Sequence, residues 1–138
     1  MTGATFPALS VRQPWADLIV WGIKDVENRT WRTDFRGNLL IHAGMRIDEE
    51  GVGRVERLYG LLLPLDYRSR TGAVLGMVRL VDCVRASRSP FFSGPYGFVV
   101  EGAVDFGEPV LFPGRLGIFP VPRAVLRGTP AFDAAAGA

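Results

Sequence analysis

The chain has 138 residues, of which 48% are hydrophobic and 22% charged, with a formal net charge of +2. That length suits one domain around one core, and the composition excludes general disorder. No apolar run approaches the roughly 20 residues of a membrane span, and so small a net charge ties any nucleic-acid function to a local patch.

The N-terminus shows no basic region followed by an apolar core, so no secretory signal is expected. Cys83 is the sole cysteine, which excludes an internal disulfide and fits a reducing cytoplasm. His42 is the sole histidine, which excludes a cysteine–histidine zinc site within one chain. No metal or cofactor is expected, and the chain is expected to be monomeric.

Leu9-Ser10-Val11-Arg12 alternates apolar and polar residues and predicts a short strand. Pro14 suits the first turn of a helix reaching about Trp21, with Trp15, Leu18 and Ile19 on its buried face. Gly22 is the expected stop. Val26 to Trp31 predicts a second strand, with Glu27, Arg29 and Trp31 on one face and Val26, Asn28 and Thr30 on the other. Asn38 to Ala43 is an apolar run expected to be covered on both faces. The acidic Asp48-Glu49-Glu50 opens a second helix that Pro64 should end, with Val52, Val55, Leu58, Tyr59 and Leu62 at helical spacing. Gly51, Gly53 and Gly60 weaken it.

Strands are then expected at Ala73–Val84, Tyr96–Phe106 and Leu116–Phe119. Residues 1–127 form one expected domain, and 128–138 an unpatterned, disordered tail. Five or so strands with two α-helices inserted near the N-terminus, and no regular helical crossovers, predict an α+β fold with a mostly antiparallel, barrel-like sheet.

Sixteen residues carry a fixed positive charge; fifteen are arginine and one, Lys24, is lysine. An ammonium is a compact donor on a flexible stem, whereas guanidinium is planar and always charged. Lys24 sits in the densest polar stretch, Gly22-Ile-Lys-Asp-Val-Glu-Asn-Arg-Thr-Trp31. Lys24, Glu27 and Arg29 read either as a structural ion-pair group or as a ligand site. Trp15 reads as core by its spacing and Trp31 as a stacking candidate by its face. Tyr96, in a Gly-Pro-Tyr-Gly loop, is open between packing and a cleft role. His42 reads as a hydrogen-bonded core residue, and Cys83 as a core thiol.

Taken together, Leu9-Ser-Val-Arg-Gln-Pro-Trp-Ala16, Gly22-Ile-Lys-Asp-Val-Glu-Asn-Arg29, Arg36-Gly37 and Leu40-Ile-His-Ala43 resemble the ASCH domain, of the PUA-like superfamily. Ser93-Gly-Pro-Tyr-Gly-Phe-Val99 and Gly114-Arg-Leu-Gly-Ile-Phe119 look like the closing strands of small bacterial and phage members. The resemblance implies a PUA-like β-barrel with a cleft beside the first helix, lined by the motif's lysine, glutamate and arginine. It also implies binding of RNA or another nucleic acid there; single-stranded RNA is the expected ligand, because its exposed bases can stack on aromatics.

On that basis the expected nucleic-acid-binding residues are Arg12, Gln13, Trp15, Lys24, Glu27, Arg29, Trp31, Arg32, Arg36 and Tyr96. Cations attract phosphate, and aromatics stack on exposed bases. The alternative is a hydrolase, with Lys24, Glu27 and Tyr96 as catalytic residues. It is either a metal-independent ribonuclease or an amidohydrolase acting on a modified nucleoside such as acetylcytidine. Some similar amidohydrolases use a threonine three residues after the lysine; this chain has Glu27 there.

Overall fold

The computed structural model describes residues 5–63, 65–130 and 133. Most of the tail expected beyond Gly128 lies outside them. Six strands, β1 (Thr5–Gln13), β2 (Val26–Arg29), β3 (Gly37–Ile47), β4 (Ala73–Val84), β5 (Tyr96–Leu111) and β6 (Ile118–Pro122), form one sheet in the order β2-β5-β4-β3-β1-β6. Helices α1 (Trp15–Val20) and α2 (Glu49–Tyr59) fall early in the chain, and a short α3 (Arg123–Leu126) follows β6. No helix is long and apolar enough to cross a membrane, among the described residues.

The fold is α+β, and four of its five strand pairings are antiparallel; β1 and β3 run parallel. The expected barrel does not close: β2 and β6 are the two edges of an open sheet. The sheet nevertheless curls. Register shifts in β1–β3, β3–β4 and β4–β5 mark the bends, since a bulge increases local twist and bends its strand. The curl carries edge strand β2 back toward β1, where Arg29 Nη2 donates to the Ser10 carbonyl at 2.6 Å. A side chain spans the seam that a barrel would close with a backbone ladder.

Alternation along the central strands supplies two cores. Leu9 and Val11 of β1, Leu39 and Ile41 of β3, and Leu75 of β4 point to one side, with Ile19 and Val20 of α1. Ala8, Leu40 and Val74 point to the other, with Phe119 and Leu126. The run Asn38 to Ala43 is therefore buried on both faces from Leu39 onward, as its lack of alternation predicted. Helix α1 packs against β1, β3, β4 and β5, with every residue from Ala16 to Val20 buried. Gly22, at φ +76°, ends it; only glycine takes that conformation without steric cost. The turn returns the Ile23 and Lys24 amides to the Leu18 carbonyl, which sets the path into β2.

Helix α2 ends earlier than Pro64 suggested. Gly60 terminates it at φ +65°, so Leu62 falls outside and is exposed. Gly51 is more than a weak point in it. A Cβ there would lie 2.7 Å from Trp15 Cζ2 and 2.7 Å from Asp48 Oδ2. The missing side chain lets α2 settle against Trp15, whose Nε1 donates to Asp48 Oδ2 at 2.9 Å. Gly51→Ala should therefore lower the melting temperature, although alanine is worth about 1 kcal/mol more than glycine in a helix interior. Thermal denaturation checks this, and an increase in stability would refute the contact.

Candidate nucleic-acid cleft

The seam between β2 and β1 opens into a cleft of about 1140 Å3. Its walls come from β1, β2, the end of β3, one face of α2, and the loops before β5 and β6. The motif residues form its inner wall. Lys24 Nζ donates to Glu27 Oε1 at 2.7 Å and to the Val26 carbonyl at 2.5 Å. Glu27 Oε2 meets Arg29 Nη2 at 3.0 Å. The same Arg29 nitrogen reaches Ser10, so the chain Lys24–Glu27–Arg29–Ser10 crosses the seam. Two cations share one carboxylate, leaving the group with net positive charge.

Lys24 is only 4% exposed yet lines the cleft, 5.8 Å from the centre of the Trp15 ring. The ammonium must fit under the tryptophan and donate to a carbonyl two residues away, which suits a compact head and not a planar fork.

Trp15 is both core and cleft. It packs against the central cluster, is held by Asp48, and presents part of its ring to the opening. Asp48 also caps α2, accepting from the Gly51 amide at 2.9 Å. Burial alone would push its carboxyl up; the bonds from Trp15 and Gly51, with the charges of Arg54 and Arg12, hold it below the usual carboxylate range. Trp31 stands edge-on to Phe98, with centroids 5.0 Å apart, and lines the cleft. Arg12 is exposed at the rim.

Four expected residues lie elsewhere. Gln13 is fully buried. Its Oε1 accepts from the Asp17 amide, and its Nε2 donates to Asp17 Oδ1 and the Arg70 carbonyl. It faces inward because it anchors the start of α1 to a buried network. There Arg70 meets Asp17 at 2.9 Å and Asp105 at 3.1 Å. Burial pushes the Asp17 carboxyl up, against the bonds from Gln13 and Arg70. Arg32 and Arg36 are absent from the cleft lining, because the chain turns away after Trp31. Arg32 pairs with Asp34 at 2.5 Å, and Arg36 donates to the Thr33 and Phe35 carbonyls. Tyr96 is also outside the cleft, its ring 5.7 Å from the Arg85 guanidinium.

The basic rim is instead completed by Arg46, Arg54 and Arg115, all exposed. Sequence reasoning passed over them as scattered surface charge. The available signal was Arg115 in the Gly114-Arg-Leu-Gly-Ile-Phe119 block. Asn28 was also missed: it donates to the Phe91 carbonyl and accepts from the Ser93 and Gly94 amides. It ties the 90–94 loop, with Phe91 and Phe92, over the cleft. Tyr59 of α2 secures the other side by donating to the Pro90 carbonyl and packing on Phe91, with centroids 4.6 Å apart. No group of three or more histidine, cysteine, aspartate or glutamate side chains is placed to hold a metal, among the described residues.

His42 is buried as expected. It lies between the Ser10 hydroxyl, 3.0 Å from Nδ1, and the Phe112 carbonyl, 2.6 Å from Nε2.

An open, curled sheet whose unclosed seam is lined by the motif's lysine, glutamate and arginine defines the class. The ASCH domain family model matches residues 9–93, and the chain belongs to that family. It is 46% identical over 83 residues to Activating signal cointegrator 1 of Mus musculus and 45% identical over 83 residues to that of Homo sapiens. Each match covers 55% of this chain but only 14% of the relative.

Two outcomes follow from this geometry. Lys24→Met should cost about 2 kcal/mol, the scale of a lost charged hydrogen bond. Lys24→Arg should also destabilise, by about 1–3 kcal/mol through overpacking, although the charge is kept. Chemical denaturation measures both, and a fully stable Lys24→Arg would refute the compactness argument. Second, burial lowers the pKa of His42 from its ordinary 6.5, against the bond to Phe112. Below pH 6.5 the unfolded chain takes up a proton that the folded chain refuses. Stability from this group is therefore full above pH 6.5 and falls as the pH drops toward the folded pKa, by at most about 1.4 kcal/mol per pH unit. Melting curves at pH 7.5 and 5.5 should show the loss, and His42→Gln should remove that part of the slope.

Proposed function

We propose that the cleft binds single-stranded RNA. The observation that carries this reading is its rim. Arg12, Arg46, Arg54 and Arg115 surround the opening, and none is ion-paired among the described residues. Arg12 and Arg54 also act on Asp48 through their charge, but cations not locked in ion pairs at a cleft mouth attract an anionic polymer, and phosphate contacts supply most of such affinity. Trp31 and Phe92, inside the rim, offer rings for bases, each stacked base being worth about 1–3 kcal/mol. Single strands expose their bases for this, whereas A-form duplexes hide them. The resemblance to ASCH domains favours RNA over DNA.

In this reading Lys24, Glu27 and Arg29 act inside the cleft. Glu27 accepts from a base amino group, and the positive charge of the group as a whole faces the ligand. The hydrolase reading through Lys24, Glu27 and Tyr96 has less support, because Tyr96 is not in the cleft lining.

Fluorescence anisotropy with a labelled single-stranded RNA, titrated from 50 to 300 mM salt, tests this. The expected result is binding that weakens linearly in log–log form. Replacing Arg12, Arg46 and Arg115 together with serine should reduce the slope by about 2, at roughly 0.7 per phosphate contact on a single strand. Trp31→Ala should weaken affinity with the slope unchanged. No binding to single-stranded RNA, or binding insensitive to salt, would refute the proposal; tighter binding to DNA would reassign the ligand.

A further inference from the structure

Ser10 and His42 are register partners on the parallel strands β1 and β3. The Phe112 carbonyl can only accept a hydrogen bond, so His42 Nε2 carries the ring proton. Nδ1 then presents its lone pair to the Ser10 hydroxyl, 3.0 Å away. Burial lowers the ring's pKa and so favours its neutral form. A hydroxyl, a neutral imidazole accepting from it, and a fixed acceptor orienting that imidazole are the three parts of an activated nucleophile.

A serine and a histidine that satisfied one another inside a core would need no opening. Ser10 has one. It is partly buried, not sealed off, and lines the cleft. Two glycines, Gly44 and Gly114, also line the cleft beside it. A Cβ on Gly44 would lie 3.2 Å from Ser10 Oγ. A Cβ on Gly114 would lie 3.1 Å from Ser10 Oγ and 2.8 Å from His42 Cε1. A side chain at either position would crowd the hydroxyl, and at Gly114 the imidazole as well.

We propose that Ser10, with His42 as its base, is a nucleophile that removes acyl groups from ligands entering this cleft. The class of substrate is a carboxylic ester on an anionic carrier. The hydroxyl's immediate partners are a neutral ring and two glycines, and the nearby Arg29 is committed to Glu27 and to Ser10's own carbonyl. A neutral acyl carbon suits that floor better than a phosphate, while the arginine rim holds the carrier's charge. Ser10 Oγ adds to the ester carbonyl and its proton passes to His42 Nδ1. The tetrahedral intermediate expels the alcohol oxygen, which takes that proton. Water then adds to the acyl-serine with His42 again as base, releasing the acid and restoring the serine. The net reaction is ester plus water to acid plus alcohol.

The proposal uses the cleft but not its RNA reading, so its test needs no nucleic acid. The intact chain is treated with a fluorophosphonate probe and with p-nitrophenyl acetate, and adducts are located by peptide mass spectrometry. The expected result is a single adduct on Ser10 and a burst of p-nitrophenol. Both should be lost in Ser10→Ala and slowed about 100-fold in His42→Gln, the scale of general-base assistance. Gly114→Ala, which places a methyl over the hydroxyl, should slow labelling about 10-fold or more while the protein stays folded. No adduct on Ser10 in the folded wild type would overturn the proposal. So would undiminished labelling in His42→Gln. If that variant does not fold, undiminished labelling in folded Gly114→Ala overturns it instead. RNA binding without labelling, or labelling without RNA binding, separates this proposal from the RNA reading.

Discussion

The Glu27 carboxylate holds the site together. It takes Lys24 on one oxygen and Arg29 on the other, and Arg29 carries the connection across the seam to the Ser10 carbonyl. Without Glu27, two cations would face each other across a half-buried wall with no counter-charge, which desolvation makes costly. With it, the edge strand β2 is tied to β1, and the cleft has a fixed inner surface. The rest of the cleft is arranged around this wall: Trp15 covers Lys24, Asp48 holds Trp15, and α2 rests on both through Gly51.

The cleft exists because the sheet stops short of closure. A closed barrel would spend the β2 edge on backbone pairing and fill its interior with side chains. Here α1 packs into the central core, and the Arg29 guanidinium of β2 bridges to β1. Exposed edge strands invite unwanted pairing. This one is bordered by loop residues 90–93 and by the arginine rim, so the same feature that leaves the edge unpaired gives it charged and aromatic cover.

Much of this was legible in the chain. The helix stop at Gly22, the doubly buried run ending at Ala43, the strand Ala73–Val84 and the grouping of Lys24, Glu27 and Arg29 all follow from local rules of period, capping and charge. Strand alternation offered Trp31 as a cleft residue, whereas the helical spacing of Trp15 pointed to the core, and its ring lines the cleft as well. Local rules failed where a residue's role depends on a distant partner. Gln13 looks like a free polar donor until Asp17 and the Arg70 carbonyl enclose it. Gly51 looks like a weak helix position until Trp15 lies against it. Arg32 and Arg36 follow the motif but leave with the chain after Trp31, whereas Arg46, Arg54 and Arg115 arrive from three other elements.

By itself, then, the sequence determined the α+β class, the order of most elements, and the charged wall at 24–29. These are set by neighbours within a few residues, through hydrogen-bond periodicity, glycine's access to positive φ, and burial of apolar faces. Only the tertiary structure decided that the sheet stays open, which arginines ring the opening, and that Ser10 meets His42 beneath two glycines. Those depend on strand bulges and on contacts between residues tens of positions apart, and the geometry of such contacts is fixed when the sheet curls, not by any local pattern along the chain.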